Sequence, residues 1–281
     1  MGGLKKTRHA FFAVASGVLV KEAKIMTRYV GSLLMVVFMP FALGGLYIGV
    51  GLALAGPGAL GNFQGNTGVS NPVLYFTLGG VLMVSSMIMI ENTSSIIREE
   101  QLMGTFELHY LTPNSTVALW MLHALASSLL SVLIFALDVS IVALSGFRGV
   151  SAADWLLAFL VVLVGLLPLA GLGLVVAALT VRFKEVYAVS QTINAFVAML
   201  SGFYYPLEVF PRVVRVAAAL LPTSHASEIL RELFGGTGQE VPIHFRIAAM
   251  FLLAVLYLYA GRTVYNRWEE GARRNGELSK Y

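Results

Sequence analysis

The residue types that could do chemistry are few in this sequence, and their spacing supports no catalytic centre. Cysteine is absent, which excludes a thiolate nucleophile, a disulfide framework and a cysteine metal site. The histidines, at positions 9, 109, 123, 225 and 244, form no H-E-x-x-H pair that would indicate a zinc site. Neither the G-x-x-x-x-G-K-[ST] loop that cradles ATP phosphates nor the G-x-S-x-G turn of serine hydrolases occurs. We therefore expect no enzyme, no metal and no cofactor in this chain.

The composition indicates a membrane protein. Of the 281 residues, 57% are hydrophobic and only 12% are charged, and the mean hydropathy is +0.79. A soluble domain usually carries about 25% charged residues, because its surface must be solvated. Runs of about 20 apolar residues, the length that crosses a hydrocarbon core of roughly 30 Å, occur several times. The partner of most of this surface is therefore expected to be a lipid bilayer, and no nucleic-acid partner is expected.

The apolar runs predict an all-α membrane protein with six transmembrane helices. The predicted spans are about 29–55, 72–90, 117–144, 155–180, 186–204 and 247–265. A loop rich in Gly, Pro and Asn at 56–71 separates the first two spans, and polar residues at 91–115 form the largest interior break. The chain accordingly divides into a cytoplasmic N-terminus with an interfacial helix (1–28), a transmembrane domain (29–265) and a cytoplasmic tail (266–281).

An even number of spans places both termini on one side, and the basic residues predict which side. With both termini inside, most of the 19 Lys and Arg residues fall on the cytoplasmic side. Cytoplasmic loops carry an excess of Lys and Arg in membrane proteins. Both termini are therefore predicted to be cytoplasmic.

Residues 10–28 have the pattern of an amphipathic helix that lies along the membrane surface. Lys21, Lys24 and Arg28 fall on one stripe of this helix, opposite an apolar face. Glu22 lies near the middle of that apolar face, where a buried carboxylate is unfavourable unless it is paired. Glu22 either pairs with a cation or hydrogen-bond donor from another segment or reaches the lipid headgroups, and the sequence does not distinguish these two possibilities.

The polar segment after the second span contains a short stretch that is compatible with a helix. Glu99 and Glu100 precede a hinge at Gly104, and residues 105–111 follow before Thr-Pro ends the stretch. A short helix held between two long helices at a membrane face suits docking into a cleft on a partner protein. Composition alone would favour an ordinary polar loop.

Polar residues inside the spans are candidates for function. Asp138 lies within the third span, where an ionisable group is by default a functional hypothesis. It could meet a cationic substrate or move a proton, but a structural role is favoured, in which it pairs with an arginine such as Arg246 or accepts a hydrogen bond from a neighbouring helix. Gln191 and Asn194 are polar residues near the middle of the fifth span, and Phe196, Phe203 and Tyr204 lie toward its outer end. The polar pair can form interhelical hydrogen bonds, typically worth about 0.6 kcal/mol each, and the aromatic residues can belong to an interfacial belt.

The order of these features resembles the ABC type-2 exporter permeases over nearly the whole chain. Lys21-Glu22, Arg28 and Ser32-Leu33-Leu34 are similar to that family's interfacial helix and its entry into the first span. The stretch REEQLMGTFELHYLTP at 98–113 is similar to the family's acidic-Gly-Thr-x-Glu-Leu-x-x-x-Thr-Pro segment. The stretches YPLEVFP and LLPTSHASEILR within 205–231 resemble its proline-bounded pair of short helices.

The resemblance implies a function and a set of site residues. It implies a coupling helix at about 98–113 that inserts into a separate ATPase chain, with Glu99, Glu100, Gly104, Thr105, Phe106, Glu107, Leu108 and Tyr110 forming the docking site. It implies a re-entrant extracellular segment at about 205–242 and a pathway lined by the second and fifth spans. Asp138, Gln191, Asn194, Phe196, Phe203 and Tyr204 are the candidate pathway residues.

The resemblance also implies an assembly and a mechanism. ATP and Mg²⁺ would be held by an ATPase dimer, bound to two copies of this permease in the plasma membrane of a prokaryote. Alternating access would export an amphipathic or lipid-linked cargo. The alternative is a self-sufficient channel or ion-driven secondary transporter, which would usually show inverted repeats; the two halves of this chain do not look alike.

Overall fold

Helices are the only regular elements in the parts of the chain that the structure describes. The structure is a computed structural model, and it describes residues 14–21, 23–24, 27–69, 71–111, 115–144, 151–183, 186–235 and 241–275. Residues 14–21 form α1. The following helices are α2 (Val30–Ala55), α3 (Ala59–Thr67), α4 (Pro72–Leu102), α5 (Phe106–Tyr110), α6 (Thr116–Leu144), α7 (Ala152–Leu166), α8 (Leu169–Phe183), α9 (Val186–Leu200), α10 (Arg212–Ala218), α11 (Pro222–Gly235) and α12 (Ile243–Asn275).

The helix α4 forms the centre of the bundle and is buried over most of its length. It packs against α2, α6, α8, α9 and α11. The helices α8 and α12 form a second extensive contact, and α11 packs against α7 and α12. By contrast, α2 and α12 expose long apolar faces at the periphery. An apolar periphery around a packed centre is the arrangement expected of a protein surrounded by lipid.

Among the residues that the structure describes, four helical segments are long and apolar enough to cross a membrane. They are Leu34–Ala55, Pro72–Leu102, Ala152–Leu179 and Ile243–Asn275. The third of these joins α7 and α8 through a short break at Leu167 and Pro168. Two other predicted spans also correspond to helices. The helix α6, at the predicted third span, has 29 residues. The helix α9 has 15 residues, a length of about 22 Å, which is shorter than a hydrocarbon core.

The sequence predicted a polar loop that begins after residue 90, and this prediction is wrong for residues 91–102. The helix α4 continues to Leu102. Residues 91–102 contain no Gly or Pro that would end a helix. Ile96 and Ile97 on this extension are buried against α6 and α8 residues, so tertiary packing supports the helix beyond its apolar run.

Two other predicted boundaries also differ from the structure. The helix α12 continues through the predicted charged tail to Asn275, because Tyr265, Glu269 and Ala272 form a buried face at helical spacing. The predicted loop at 56–71 contains the helix α3, which ends at Gly68 with a φ of 70°. A left-handed glycine at that position is a common helix C-terminus.

Glycine permits a close approach between α8 and α12. Gly171 on α8 and Gly261 on α12 face each other, and the Gly171 Cα lies against the space that a Gly261 side chain would fill. A Cβ added at Gly171 would overlap the carbonyl oxygen of Tyr257. The two backbones are therefore in direct contact, as small residues allow at helix interfaces in membranes.

Candidate functional site

A short turn positions α5 at the end of α4. The turn contains Gly104 at a φ of 69°, in the left-handed region that favours glycine. The backbone N–H of Thr105 donates to the carbonyl of Glu100 (3.0 Å), and α5 begins at the next residue. Five residues form a marginal helix by themselves, so α5 depends on the contacts around it.

The buried carboxylate of Glu100 provides the main polar contacts. Its Oε1 lies 3.3 Å from Nζ of Lys21 on α1. Its Oε2 accepts a short hydrogen bond from the Thr105 hydroxyl and lies 3.1 Å from Nε2 of His109 on α5. The carboxylate therefore joins the end of α4 to the neighbouring α5 and to α1, whose Lys21 is 79 residues away in sequence.

Glu100 lies outside the part of α4 that a bilayer would cover. A helix of 31 residues is about 46 Å long, and its charged residues begin at Glu91. Burial alone would raise the pKa of the Glu100 carboxyl, but the hydrogen bonds from Thr105 and His109 and the charge of Lys21 outweigh burial and lower it. Because the folded pKa is the lower one, the carboxylate stabilises this end of the molecule at neutral pH. That contribution is lost as the pH falls through and below the usual glutamate range.

An apolar cluster, here the Trp120 cluster, holds α5 from its inner side. It consists of Ile96, Ile97, Phe106, Val117, Leu119, Trp120, Leu174, Ala177 and Tyr265, with Val14 of α1 at its edge. Phe106 is the α5 residue that enters it. The Trp120 indole N–H donates to the Tyr265 hydroxyl (2.9 Å), and the His109 ring meets Trp120 edge to face with centroids 5.0 Å apart. The helix α5 is thus fixed to α4, α6 and α12.

Glu269 makes a second set of polar contacts at the same end, which the sequence analysis missed. The Thr116 hydroxyl lies 3.0 Å from both carboxylate oxygens of Glu269, and Arg273 lies 2.8 Å from one of them. The start of α6 is therefore tied to the last turns of α12. The only sequence feature that pointed to this contact was the helical spacing of Tyr265 and Glu269. It was missed because the residues after 265 were assigned to a charged tail.

Exposed apolar side chains lie on α5 and on the residues just before and after it. Four of them form what we call the α5 patch, with exposed fractions between 56% and 81%: Leu102, Met103, Leu108 and Leu111. They lie beside charged residues, past the apolar part of α4. Clustered exposed apolar side chains of this kind mark surfaces for protein partners or membrane.

A family model described as ABC-2 type transporter matches residues 9–235 of this chain. The chain belongs to the ABC-2 type transporter family. The match confirms the resemblance that the motifs predicted. A search among curated proteins returned no significant match.

The structure divides the predicted docking residues of this ABC-2 type transporter into two groups. Leu108 is exposed, and Glu99 is exposed and accepts from the Ser95 hydroxyl. Glu100 and Phe106 are buried, so they support α5 from within and do not form a surface, contrary to the prediction. Thr105 is half-buried against Glu100. The side chains of Glu107 and Tyr110 lie outside what the structure describes.

The predicted interfacial helix is brought into the same site through Lys21. Lys24 and Arg28 are exposed, as expected for residues on the polar stripe. Glu22, for which the sequence predicted a partner or a position among headgroups, lies outside the described residues. Lys21 pairs with Glu100, which the sequence had assigned to the docking surface.

The candidate pathway residues do not share one surface of this ABC-2 protomer. Phe196 on α9 is exposed and Gln191 is half-buried. Asn194, Phe203 and Tyr204 are buried within the protomer. The Asn194 amide has no hydrogen-bond partner among the described residues. Tyr204 stacks on Tyr47 of α2 with ring centroids 4.0 Å apart, so it joins α2 to the turn after α9.

The pairing favoured for Asp138 is not present. Asp138 on α6 is fully buried, and neither carboxylate oxygen has a hydrogen-bond partner among the described residues. Arg246 forms an ion pair with Glu228 on α11 instead. Among the described residues, no group of three or more His, Asp or Glu side chains could hold a metal ion.

Replacing Glu100 by glutamine is expected to loosen α5. Hydrogen bonds to a charged group contribute about 1.5–3 kcal/mol, and the amide would lose the attraction to Lys21. We expect amides of residues 103–111 to exchange with deuterium at least about tenfold faster, measured by mass spectrometry in detergent. Glu99→Gln is the matched control, because Glu99 is exposed. Equal exchange in the two variants would contradict the assigned role of Glu100.

Replacing Asp138 by asparagine is expected to preserve or raise stability. A buried carboxylate without a partner is unfavourable by an amount on the order of several kcal/mol if it is charged, and the amide has nearly the same shape. The apparent unfolding temperature in detergent should stay equal to wild type or increase. A clear decrease would show that the Asp138 carboxylate has a stabilising partner in the native protein.

Proposed function

We propose that this chain is the membrane-spanning subunit of an ATP-driven exporter whose ATP is hydrolysed by a separate ATPase chain. The α5 patch is the observation that supports this proposal most directly. An exposed apolar patch beside a helix that is held to the bundle is typical of a surface for a partner protein, and the sequence contains no nucleotide-binding loop of its own. Membership of the ABC-2 type transporter family supports the same conclusion.

In this proposal α5 is the coupling helix. Leu108 and Leu111 insert into a cleft of the ATPase, with Leu102 and Met103 at the edge of the contact. Glu100 and Phe106 fix α5 to the bundle, so a movement of the ATPase is passed to α4 and, through Lys21, to α1. Glu107 and Tyr110 remain proposed docking residues.

The proposed topology has six spans: α2, α4, α6, α7 with α8, α9, and α12. The end that carries α1 and α5 is cytoplasmic, because most basic residues lie there, and both termini share that side. The helices α10 and α11 then form the extracellular re-entrant segment. The short helix α9 reaches the outer boundary with the help of the turn at 201–205.

The proposed working unit contains two ATPase copies and two copies of this permease, in the plasma membrane of a prokaryote. ATP and Mg²⁺ bind to the ATPase subunits, and their closure drives alternating access. The exposed face of α9, with Phe196 and half-buried Gln191, is available to the pathway between the permeases. The cargo is an amphipathic or lipid-linked molecule.

Purification from native membranes tests the proposal. We expect an affinity-tagged wild-type permease to retain an ATP-binding chain and the eluate to hydrolyse ATP. The retained chain should contain a G-x-x-x-x-G-K-[ST] loop, identified by mass spectrometry. A folded permease that purifies without such a chain in several mild detergents and in nanodiscs would overturn the proposal.

A further inference from the structure

At its end away from α5, the helix α9 leads into a turn whose backbone carbonyls are not hydrogen-bonded within a helix. The helix ends at Leu200, and an irregular turn follows at 201–205, with Gly202 at a φ of 65°. The last carbonyls of a helix have no partner within it. In a membrane-spanning chain such carbonyls must be satisfied by other groups, since lipid offers no donors.

Side chains of one face of α11 satisfy four consecutive carbonyls at this end. The donor and acceptor pairs are Ser224 Oγ to Leu200 O (3.3 Å), Ser227 Oγ to Ser201 O (3.0 Å), Arg231 Nη1 to Gly202 O (2.8 Å) and Arg231 Nη2 to Phe203 O (2.6 Å). The hydroxyls of Ser201 and Thr223 lie 2.5 Å apart. The donors are all buried, so the contact is shielded from competing solvent.

The helix α4 holds the same turn from the opposite side. Gly79 lies directly against the backbone of Phe203, where a Cβ would overlap the Phe203 carbonyl. The ring of Tyr75 lies under the Arg231 guanidinium, 3.7 Å from the ring centroid. Arg231 therefore makes a cation–π contact with α4 while it donates to the turn after α9.

The end of α9 near α5 is held differently. Its contact with α4 includes a hydrogen bond between the hydroxyls of Ser94 and Ser190, 2.7 Å apart. Tyr187 and Ala188 at this end are exposed. The two hydrogen bonds from the buried Arg231 to carbonyls are stronger than one hydrogen bond between two hydroxyls, because charged donors form stronger hydrogen bonds.

We propose that the turn after α9 is a fixed pivot, clamped between α11 and α4, with Arg231 as the residue that positions it. The α5 end of α9 is the end that moves relative to α4 during a transport cycle. The clamp depends only on contacts within this chain, whereas the movement rests on the function proposed above.

Disulfide formation in the permease alone tests the clamp. The chain has no cysteine, so Ser201→Cys with Thr223→Cys introduces the only thiols. We expect the disulfide to form readily in membranes treated with a mild oxidant, and at least about tenfold more slowly when Arg231→Met is added. Arg231→Lys should give an intermediate rate, since one ammonium replaces the two-pronged donor. Arg215→Met, at an exposed arginine on α10, is the matched control and should leave the rate unchanged.

Two disulfides, one near each end of α9, test the pivot in the complex with the ATPase. The Ser201→Cys/Thr223→Cys disulfide should leave at least half of the ATPase activity, because those groups do not separate. The Ser94→Cys/Ser190→Cys disulfide should reduce it at least about tenfold, and reduction by a thiol should restore it. Each oxidised pair is compared with its own reduced form and with its single-cysteine variants.

These experiments distinguish a failure of the clamp or the pivot from a failure of the proposed function. An unchanged disulfide rate in Arg231→Met overturns the clamp, whether or not an ATPase is found. If that variant does not fold, the Ser201/Thr223 pair decides, since failure of that disulfide to form overturns the clamp. Loss of activity with the Ser201/Thr223 disulfide, or full activity with the Ser94/Ser190 disulfide, overturns the pivot. Absence of any ATPase partner contradicts the proposed function and leaves the clamp to be decided in the permease alone.

Discussion

A permease with both Leu108 and Leu111 replaced by alanine is expected to fold and to lose its ATPase partner. Both side chains are exposed in the protomer, so their truncation removes little from the permease itself. In the proposed complex they are buried. Burial contributes roughly 0.8 kcal/mol per CH₂ group, so the double change removes on the order of 4 kcal/mol, a loss in affinity of more than a hundredfold.

Quantitative co-purification and ATPase activity would measure this effect. The matched control is Val216→Ala with Leu220→Ala, another pair of exposed apolar residues, at the opposite end of the molecule. That pair should retain the partner. Equal retention by the two double variants would show that the α5 patch does not bind the ATPase.

Replacing Gly171 by alanine is expected to destabilise the bundle strongly, although it adds only one methyl group. The new Cβ would overlap the carbonyl oxygen and carbon of Tyr257, which are backbone atoms of α12 and cannot rotate away. Overpacking typically destabilises by about 1–3 kcal/mol, and a clash of backbone with backbone should reach or exceed the upper limit. The contact between α8 and α12 is among the most extensive in the fold, so its separation affects the whole domain.

The apparent unfolding temperature in detergent and the monodisperse fraction would report this effect. Gly45→Ala on α2 is the control, because nothing lies within 4 Å of a Cβ built there. Alanine has the better helix propensity by about 1 kcal/mol, so the control should be neutral or slightly stabilising. A Gly171→Ala protein as stable as the control would mean that the two helices are not in direct backbone contact.

Local patterns predicted the class of fold and the position of α5. Apolar runs depend on neighbouring residues alone, and they indicated helices that could cross a membrane. Gly104 was predicted as a hinge, and α5 lies within the stretch at 105–111 that is compatible with a helix, although composition alone favoured a loop there and the resemblance decided for the helix. Boundaries were less accurate where packing extended a helix past its apolar run, as at Ile96 and Ile97.

The contacts of the candidate site were not predictable in the same way. Glu99 and Glu100 are adjacent and chemically similar, yet one is exposed and the other is buried. The difference arises because Lys21, 79 residues away, and His109 converge on Glu100 in the folded chain. Arg231 is a similar case. Its partners are backbone carbonyls, which every residue has, so the residue types in the sequence do not indicate them.

Photo-cross-linking from position 108 tests the central claim most directly. A photoreactive amino acid at Leu108, irradiated in native membranes, should form a covalent product with a chain that contains a G-x-x-x-x-G-K-[ST] loop. The same amino acid at Leu220, exposed at the other end of the molecule, should not form it. A Leu108 product with that chain would place the ATPase on the α5 patch. If Leu220 yields the ATP-binding chain and Leu108 does not, or if neither position yields it, the proposed coupling site is wrong.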